Sequence, residues 1–218
     1  MNLHTSTRQW IAAASLCLCM GLPTAAIGSP SYRVSVDTRA FDGVSGFIDL
    51  QFTPASGTPE ATAVISGFSP AAMLDGPPTI EGSVSGTLAG TQTFTNDPLF
   101  FNASLQPVIF GSEFSFLLMF SGPFETASTG GGTAFAVGIL GLGYETLLGD
   151  LVSGASLVFD LMPGAVPVFT VSDGAITVSA IPEPGIGALV VVGLLAMAVG
   201  WPGRRRHAGF LGTWPPPA

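Results

Sequence analysis

The chain has 218 residues, of which 9% are charged, far below the roughly 25% of ordinary soluble domains. It contains no lysine, and between Ser31 and Ala180 thirteen acidic residues stand against two arginines, a net charge of −11. Such a surface repels phosphate backbones, so the composition excludes nucleic-acid binding.

Residues 1–28 are typical of a signal peptide. Arg8 precedes an apolar stretch of 13 residues, Trp10–Leu22, which has the length of a signal-peptide core and is short for a membrane span. Small residues follow, and they predict cleavage by signal peptidase after Ala26 or after Gly28. Both cysteines lie in the apolar stretch, so cleavage leaves a domain without thiols.

Residues 29–180 are predicted to form one extracytoplasmic all-β domain, an antiparallel sandwich or jelly-roll-like fold. Short alternating segments are separated by Gly, Pro, Asp and Asn, and no segment has sustained helical periodicity. Ile48, Leu50 and Phe52, for example, alternate with Asp49 and Gln51. The predicted strands are Tyr32–Thr38, Phe47–Phe52, Ala61–Phe68, Ile80–Leu88, Thr91–Thr95, Phe100–Phe110, Glu113–Phe120, Thr133–Leu140, Ser156–Leu161, Val168–Ser172 and Ala175–Ala180. A short helical turn is predicted at Ser69–Leu74.

The last two strands are predicted to form a hairpin. Asp173-Gly174 is a dipeptide that favours a type I′ turn, because both of its central positions need positive φ. Pairing outward from this turn places Val171 opposite Ile176 and Phe169 opposite Val178, so the apolar residues share one face.

The C-terminal segment, residues 181–206, is predicted to carry a membrane helix at 185–201. These 17 uncharged residues span about 25 Å as a helix, slightly less than a hydrocarbon core of about 30 Å. The basic cluster Arg204, Arg205 and Arg206 follows and is expected to stay in the cytoplasm as the membrane stop, with 207–218 as a short cytoplasmic tail. The triplet Pro182, Glu183 and Pro184 precedes the helix on its outer side.

This order of Pro-Glu-Pro, apolar helix and arginine cluster resembles the PEP-CTERM sorting signal of biofilm-forming Gram-negative bacteria. The resemblance implies that an exosortase, a membrane-embedded cysteine transpeptidase, recognises Pro182, Glu183 and Pro184 and cuts near them. The tail extends twelve residues past the arginines, further than is usual in that family.

Parts of the β domain also resemble one recurrent group of PEP-CTERM proteins that has no assigned activity. The segments that carry this resemblance are Tyr32–Thr38, Gly46–Phe52 and Gly86–Leu88. The resemblance indicates a family, and it implies no reaction.

Residues 31–180 contain no His, Cys or Lys, which limits the chemistry that the domain can perform. Nucleophilic sites built on Ser-His, Cys-His or Ser-Lys pairs are excluded, as are zinc sites built on His and Cys. Only carboxylates remain as acid or base groups, so a glycosidase with two opposed carboxylates stays as an alternative. A calcium site at Asp37, Asp42 and Asp49 is a further alternative, although no known calcium-loop spacing is present.

The sequence therefore predicts an exported surface or exopolysaccharide-matrix protein that is structural or adhesive, is not an enzyme and carries no cofactor. The expected partners are signal peptidase, an exosortase-type transpeptidase, the membrane before processing, and exopolysaccharide. A secreted glycan-binding module is the first alternative and a carboxylate-dependent glycosidase is the second.

Overall fold

A computed structural model describes residues 29–69, 73–99 and 101–182 of the chain. This part is all-β, and its strands form two antiparallel sheets, as predicted. In chain order the strands are β1 Ser31–Asp37, β2 Ser45–Pro54, β3 Thr62–Ser66, β4 Met73–Leu74, β5 Thr79–Glu81, β6 Val84–Gly86, β7 Thr91–Thr95, β8 Asn102–Ile109, β9 Glu113–Ser121, β10 Thr133–Gly141, β11 Thr146–Leu148, β12 Leu157–Leu161, β13 Val168–Val171 and β14 Ile176–Ala180. Two short 3₁₀ turns occur at Arg39–Phe41 and Pro123–Glu125.

Most strand pairs of the two sheets are long-range, and the local hairpins are β6–β7, β10–β11 and β12–β13. The first sheet has the order β14-β1-β9-β3-β7-β6, and the second has the order β13-β12-β10-β2-β8-β4. Strand β11 adds to β10, and β5 adds to β8. At the centre of the second sheet, β2 and β10 pair over nine consecutive positions from Gly46↔Gly141 to Pro54↔Thr133.

Alternation along the central strands divides the side chains between a shared core and the outer faces. In β2, Ile48, Leu50 and Phe52 are fully buried, as predicted, while Asp49 and Gln51 face outward and are half-buried. Apolar residues of both sheets meet in one cluster, so the sheets stack as a sandwich.

Phenylalanine dominates this core. Nine phenylalanines are among its largest fully buried side chains. Phe120 of the first sheet lies 5.3 Å from Phe159 and 6.0 Å from Phe135 of the second sheet, measured between ring centroids. Tilted and edge-on pairs at these distances are the favoured aromatic geometries, so the rings hold the two sheets together.

The predicted hairpin around Asp173-Gly174 is wrong. Strand β13 pairs with β12 in the second sheet, whereas β14 pairs with β1 in the first. Neither residue of the dipeptide has the positive φ that a type I′ turn requires. The Asp173 side chain instead accepts a hydrogen bond from the Ala175 N–H at 2.9 Å, which makes the segment a corner between the sheets.

Three smaller differences concern elements that the local pattern did not predict. The expected strand Ile80–Leu88 is two strands, β5 and β6, because the chain bends at Gly82, whose φ is +69°. Within the predicted helical turn Ser69–Leu74, the residues Met73–Leu74 form strand β4 against β8; residues 70–72 lie outside the described residues. Strand β11 was not predicted.

The first and last strands of the domain lie side by side. Tyr32 and Ala180 are paired residues of β1 and β14, and the Ile181 N–H donates a hydrogen bond to the Ser31 carbonyl at 2.8 Å. The predicted signal peptide, membrane helix and cytoplasmic tail lie outside the described residues. In the part of the chain that is described, no helix is long and apolar enough to cross a membrane.

Candidate functional site

The predicted sorting residues lie at or beyond the end of the described chain. Pro182 is the last described residue, and it is exposed two residues after β14. The other predicted sorting and cleavage residues, Glu183, Pro184, Arg204, Arg205, Arg206, Ala26 and Gly28, lie outside the described residues. Their roles stay predictions.

The three carboxylates considered for calcium are not brought together. Asp37 ends β1 in the first sheet and pairs with Arg39, whose Nε donates to it at 2.9 Å; this hydrogen bond is the largest cause that lowers the Asp37 pKa to about 2. Asp42 lies in the exposed loop before β2, and Asp49 lies within β2 in the second sheet. Within the described ranges, His, Cys, Asp and Glu form no group of three able to hold a metal ion.

A polar cleft of about 330 Å³ lies on the outer face of the second sheet. Its floor is formed by Asp49 and Gln51 of β2 together with Ala136 and Gly138 of β10. Tyr144 and the loop 151–155 form its walls. The register explains the floor, because Asp49 pairs with Gly138 and Gln51 pairs with Ala136, so long polar side chains alternate with small ones.

Asp49 is the charged group of this cleft. Its Oδ2 accepts a hydrogen bond of 2.6 Å from Gln51 Nε2. Burial raises the pKa of the Asp49 carboxyl, and the Gln51 hydrogen bond opposes that rise. The basic residues of the domain, Arg33 and Arg39, belong to or follow strand β1 of the opposite sheet, so no cation faces Asp49 among the described residues.

Gly138 sets the distance between the sheet and the cleft wall. A Cβ at this position would lie 3.0 Å from the Gly154 carbonyl oxygen and 3.4 Å from the Asp49 Cβ. A side chain at position 138 would push the loop away from the sheet by a few tenths of an ångström, so glycine favours its close approach to Asp49.

Tyr144 forms an exposed aromatic wall. Its side chain is 62% exposed, and its ring stacks on Phe47 with centroids 5.3 Å apart and an interplanar angle of 7°. Phe47 precedes Asp49 by two residues on the same face of β2. Tyr144 has φ +64°, and it is the one non-glycine residue with positive φ in the described ranges. A strained backbone that presents an exposed ring is typical of a binding site.

The opposite wall is a loop closed by Asp150. Its carboxylate accepts hydrogen bonds from the Val152 N–H at 3.0 Å and from the Ser153 hydroxyl at 2.9 Å. These bonds, the one from the Val152 backbone first, lower the Asp150 pKa. The same loop carries Leu151 and Val152, which line the cleft and are 82% and 95% exposed.

The cleft combines one carboxylate, one amide, hydroxyl groups and an exposed aromatic ring. Such a set can hydrogen-bond and stack against a polar ligand. Among the described residues that line it, Asp49 is the sole carboxylate, so the cleft does not hold the opposed pair that glycoside hydrolysis uses.

Sequence reasoning placed Asp49 on an outer face but did not find the cleft. Tyr144 and the loop 151–155 are far from β2 in sequence and come together with it only through the β2–β10 register. One feature of the sequence could have pointed to Tyr144. It is one of only two tyrosines in the chain, and it lies in a Gly-rich turn, where an aromatic side chain is not expected to pack in the core.

Comparison of the chain with protein-family models, curated proteins and solved structures gives no significant match.

Proposed function

We propose that the protein is an exported component of the cell surface or of the exopolysaccharide matrix, structural or adhesive and not an enzyme. The observation that carries this proposal is the order of sequence features: a signal peptide over residues 1–28, a β domain, the triplet Pro182-Glu183-Pro184, an apolar helix over 185–201 and the cluster Arg204–Arg206. In this proposal both basic ends stay in the cytoplasm and the β domain lies outside.

The chemistry of the domain supports a role without catalysis. The cleft offers a single carboxylate and no nucleophile-base pair, since residues 31–180 contain no His, Cys or Lys. The glycosidase alternative would need a second carboxylate across the cleft from Asp49.

Glycan binding by the exported domain is the second candidate function. The observation that favours it is the polar cleft, which the exposed Tyr144 lines together with Asp49 and Gln51. Sugars have hydroxyl edges and apolar faces, so they need this mixture of polar groups and aromatic surface.

The sorting proposal is tested by replacing Pro182-Glu183-Pro184 with three alanines in the native cells. We expect the variant to remain in the cytoplasmic membrane, because the triplet lies where a transpeptidase outside the membrane would reach it. The measurement is immunodetection in membrane, matrix and medium fractions. Replacement of Pro215-Pro216-Pro217 by alanines is the matched control, and it should leave release unchanged.

The released protein also has an optical signature. All three tryptophans, Trp10, Trp201 and Trp214, lie outside residues 29–180, so a domain processed at both ends emits only as tyrosine. Normal release of the triple-alanine variant, or tryptophan emission from the released wild-type protein, contradicts exosortase sorting.

A further inference from the structure

We infer that the outer face of the second sheet binds a neutral polysaccharide chain, with one sugar unit held by Asp49, Gln51 and Tyr144. This inference rests on the second candidate function, glycan binding, and it specifies the site and the class of glycan.

The floor of the cleft has unused hydrogen-bonding capacity. Gln51 Nε2 donates to Asp49 Oδ2, while Asp49 Oδ1 and Gln51 Oε1 accept no hydrogen bond from the described residues. That hydrogen bond orients the two side chains relative to each other, and both oxygens lie on the outer face of β2. Two neighbouring sugar hydroxyls can donate to such a pair, and a bond to a carboxylate is stronger than one to a neutral acceptor.

The walls of the cleft supply apolar surface at the same place. The Tyr144 ring is supported on one side by Phe47, whose ring is nearly parallel to it. Leu151 and Val152 are highly exposed on the facing loop. Exposed aromatic and aliphatic groups around a polar floor fit the apolar face of a sugar ring.

The negative charge of the domain favours a neutral glycan over an acidic one. The domain has a net charge of −11, and its two arginines belong to or follow strand β1 of the first sheet, away from the cleft. A uronic acid or sulfate group would meet Asp49 without a compensating cation, and like charges that close repel each other.

The surface continues beyond the first sugar unit. A second, more apolar hollow of about 350 Å³ is lined by Thr53 and Pro54 of β2 and by Ala134 of β10, with Met162 at its side. Its lining includes one carboxylate, Asp160 of β12, which pairs with Ala134 and would also disfavour an acidic sugar. Thr53 lies four residues after Asp49 on the same face of the strand, about 13 Å away. That distance exceeds one sugar ring, so a chain of several units is expected to bind more tightly than a monosaccharide.

The test uses the full chain purified in a zwitterionic detergent that contains no sugar. Calorimetric titration compares glucose, dextran and laminarin as neutral probes with alginate and hyaluronate as acidic ones. We expect binding of a neutral polymer that is tighter than binding of glucose, and none of the acidic polymers.

Two variants test the site. Asp49→Asn and Tyr144→Asn should each lower the affinity for the neutral polymer by about tenfold or more. Asparagine is chosen at position 144 because it tolerates the positive φ of that residue, so the substitution removes the ring without straining the turn. Glu113→Gln and Met119→Ala, both on the first sheet, are controls that should leave the affinity unchanged. Thermal melts show that each variant is folded.

The outcomes separate the site from the function. Unchanged affinity in both folded cleft variants overturns the site while glycan binding stands. Tight binding of alginate or hyaluronate overturns the class of ligand. Failure of the wild-type chain to bind any probe overturns glycan binding itself. The export proposal is not affected by that result, because the triple-alanine variant tests it separately.

Discussion

Asp49 is a half-buried carboxylate that the described part of the domain leaves without a cation. Its hydrogen bond to Gln51 compensates only partly for the water that it loses, which is why its pKa is raised. A purely structural role at this position would be filled better by an uncharged residue. The proposed glycan site would account for a charge that is kept here at a cost in stability.

We predict that Asp49→Asn stabilises the folded protein at neutral pH. Because folding raises the pKa of this acid, its contribution to stability is fully present below the unfolded value of about 3.8 and is lost as the pH rises through the folded value. Asparagine does not ionise, so the variant avoids this loss of stability at neutral pH. Its amide oxygen can still accept the hydrogen bond from Gln51 Nε2. We expect a gain of about 0.5–2 kcal/mol at pH 7, measured by urea unfolding.

The matched control is Asp42→Asn, which removes the same charge from an exposed loop. It should change the free energy of unfolding by less than about 0.5 kcal/mol. The advantage of Asp49→Asn should shrink when unfolding is repeated well below pH 3.8, where wild-type Asp49 is mostly protonated in both states. A variant that is less stable than wild type at pH 7 would show that the Asp49 charge is structural.

The sequence predicted which way Asp49 points but not what it meets. Alternation along β2 is a local property, so the outward position of Asp49 could be predicted from Ile48, Leu50 and Phe52. The position of Tyr144 depends on which strand pairs with β2 and in which register. A two-residue slip between β2 and β10 would keep the apolar residues in the core but would separate Asp49 from Gly138, and local alternation does not distinguish that register from the observed one.

Among the elements, the corner at Ser172–Ala175 shows how a local signal can mislead. The flanking strands have apolar residues that would match in a hairpin, and Asp-Gly is a common hairpin turn. Each strand instead pairs within a different sheet: β14 pairs with β1 over five positions, and β13 pairs with β12 over four. Two pairings in different sheets bury more surface than one isolated hairpin, so the tertiary contacts override the turn preference.

Strand β9 lies in the interior of the first sheet and connects its two halves, since it pairs with both β1 and β3. We predict that Phe120→Ala in this strand destabilises the domain by about 3–5 kcal/mol, because Phe120 is fully buried and contacts rings of both sheets. The melting temperature should fall by roughly 6–20 °C in a scanning calorimeter.

The neighbouring position gives the control for that substitution. Met119 is on the outer face of β9 with 39% of its side chain exposed, and Met119→Ala should cost less than about 1 kcal/mol. Equal effects of the two substitutions would mean that β9 does not place alternate residues in the core and at the surface.

For the whole molecule, composition and alternation were sufficient to predict an all-β domain, but not its strand order. Short alternating segments with Gly-rich breaks have few stable arrangements other than stacked sheets. The order is set by pairs such as β1 with β14, which are separated by most of the domain. No local property of Tyr32–Asp37 identifies Ile176–Ala180 as its neighbour, so this part of the fold had to come from the structure.

Because Tyr32 pairs with Ala180, the two ends of the domain lie next to each other. Paired residues of antiparallel strands have Cα atoms about 5 Å apart, so a short linker could join the two ends, and the chain could be reopened elsewhere. The exposed turn at Ala89–Gly90 is a suitable opening, because it lies between β6 and β7 at one edge of the first sheet. We predict that a protein running from Gly90 through a linker to Ala89 keeps the same strand content by far-UV dichroism and melts cooperatively. A permuted chain that stays unfolded would show that β1 must begin the chain for the sheets to assemble.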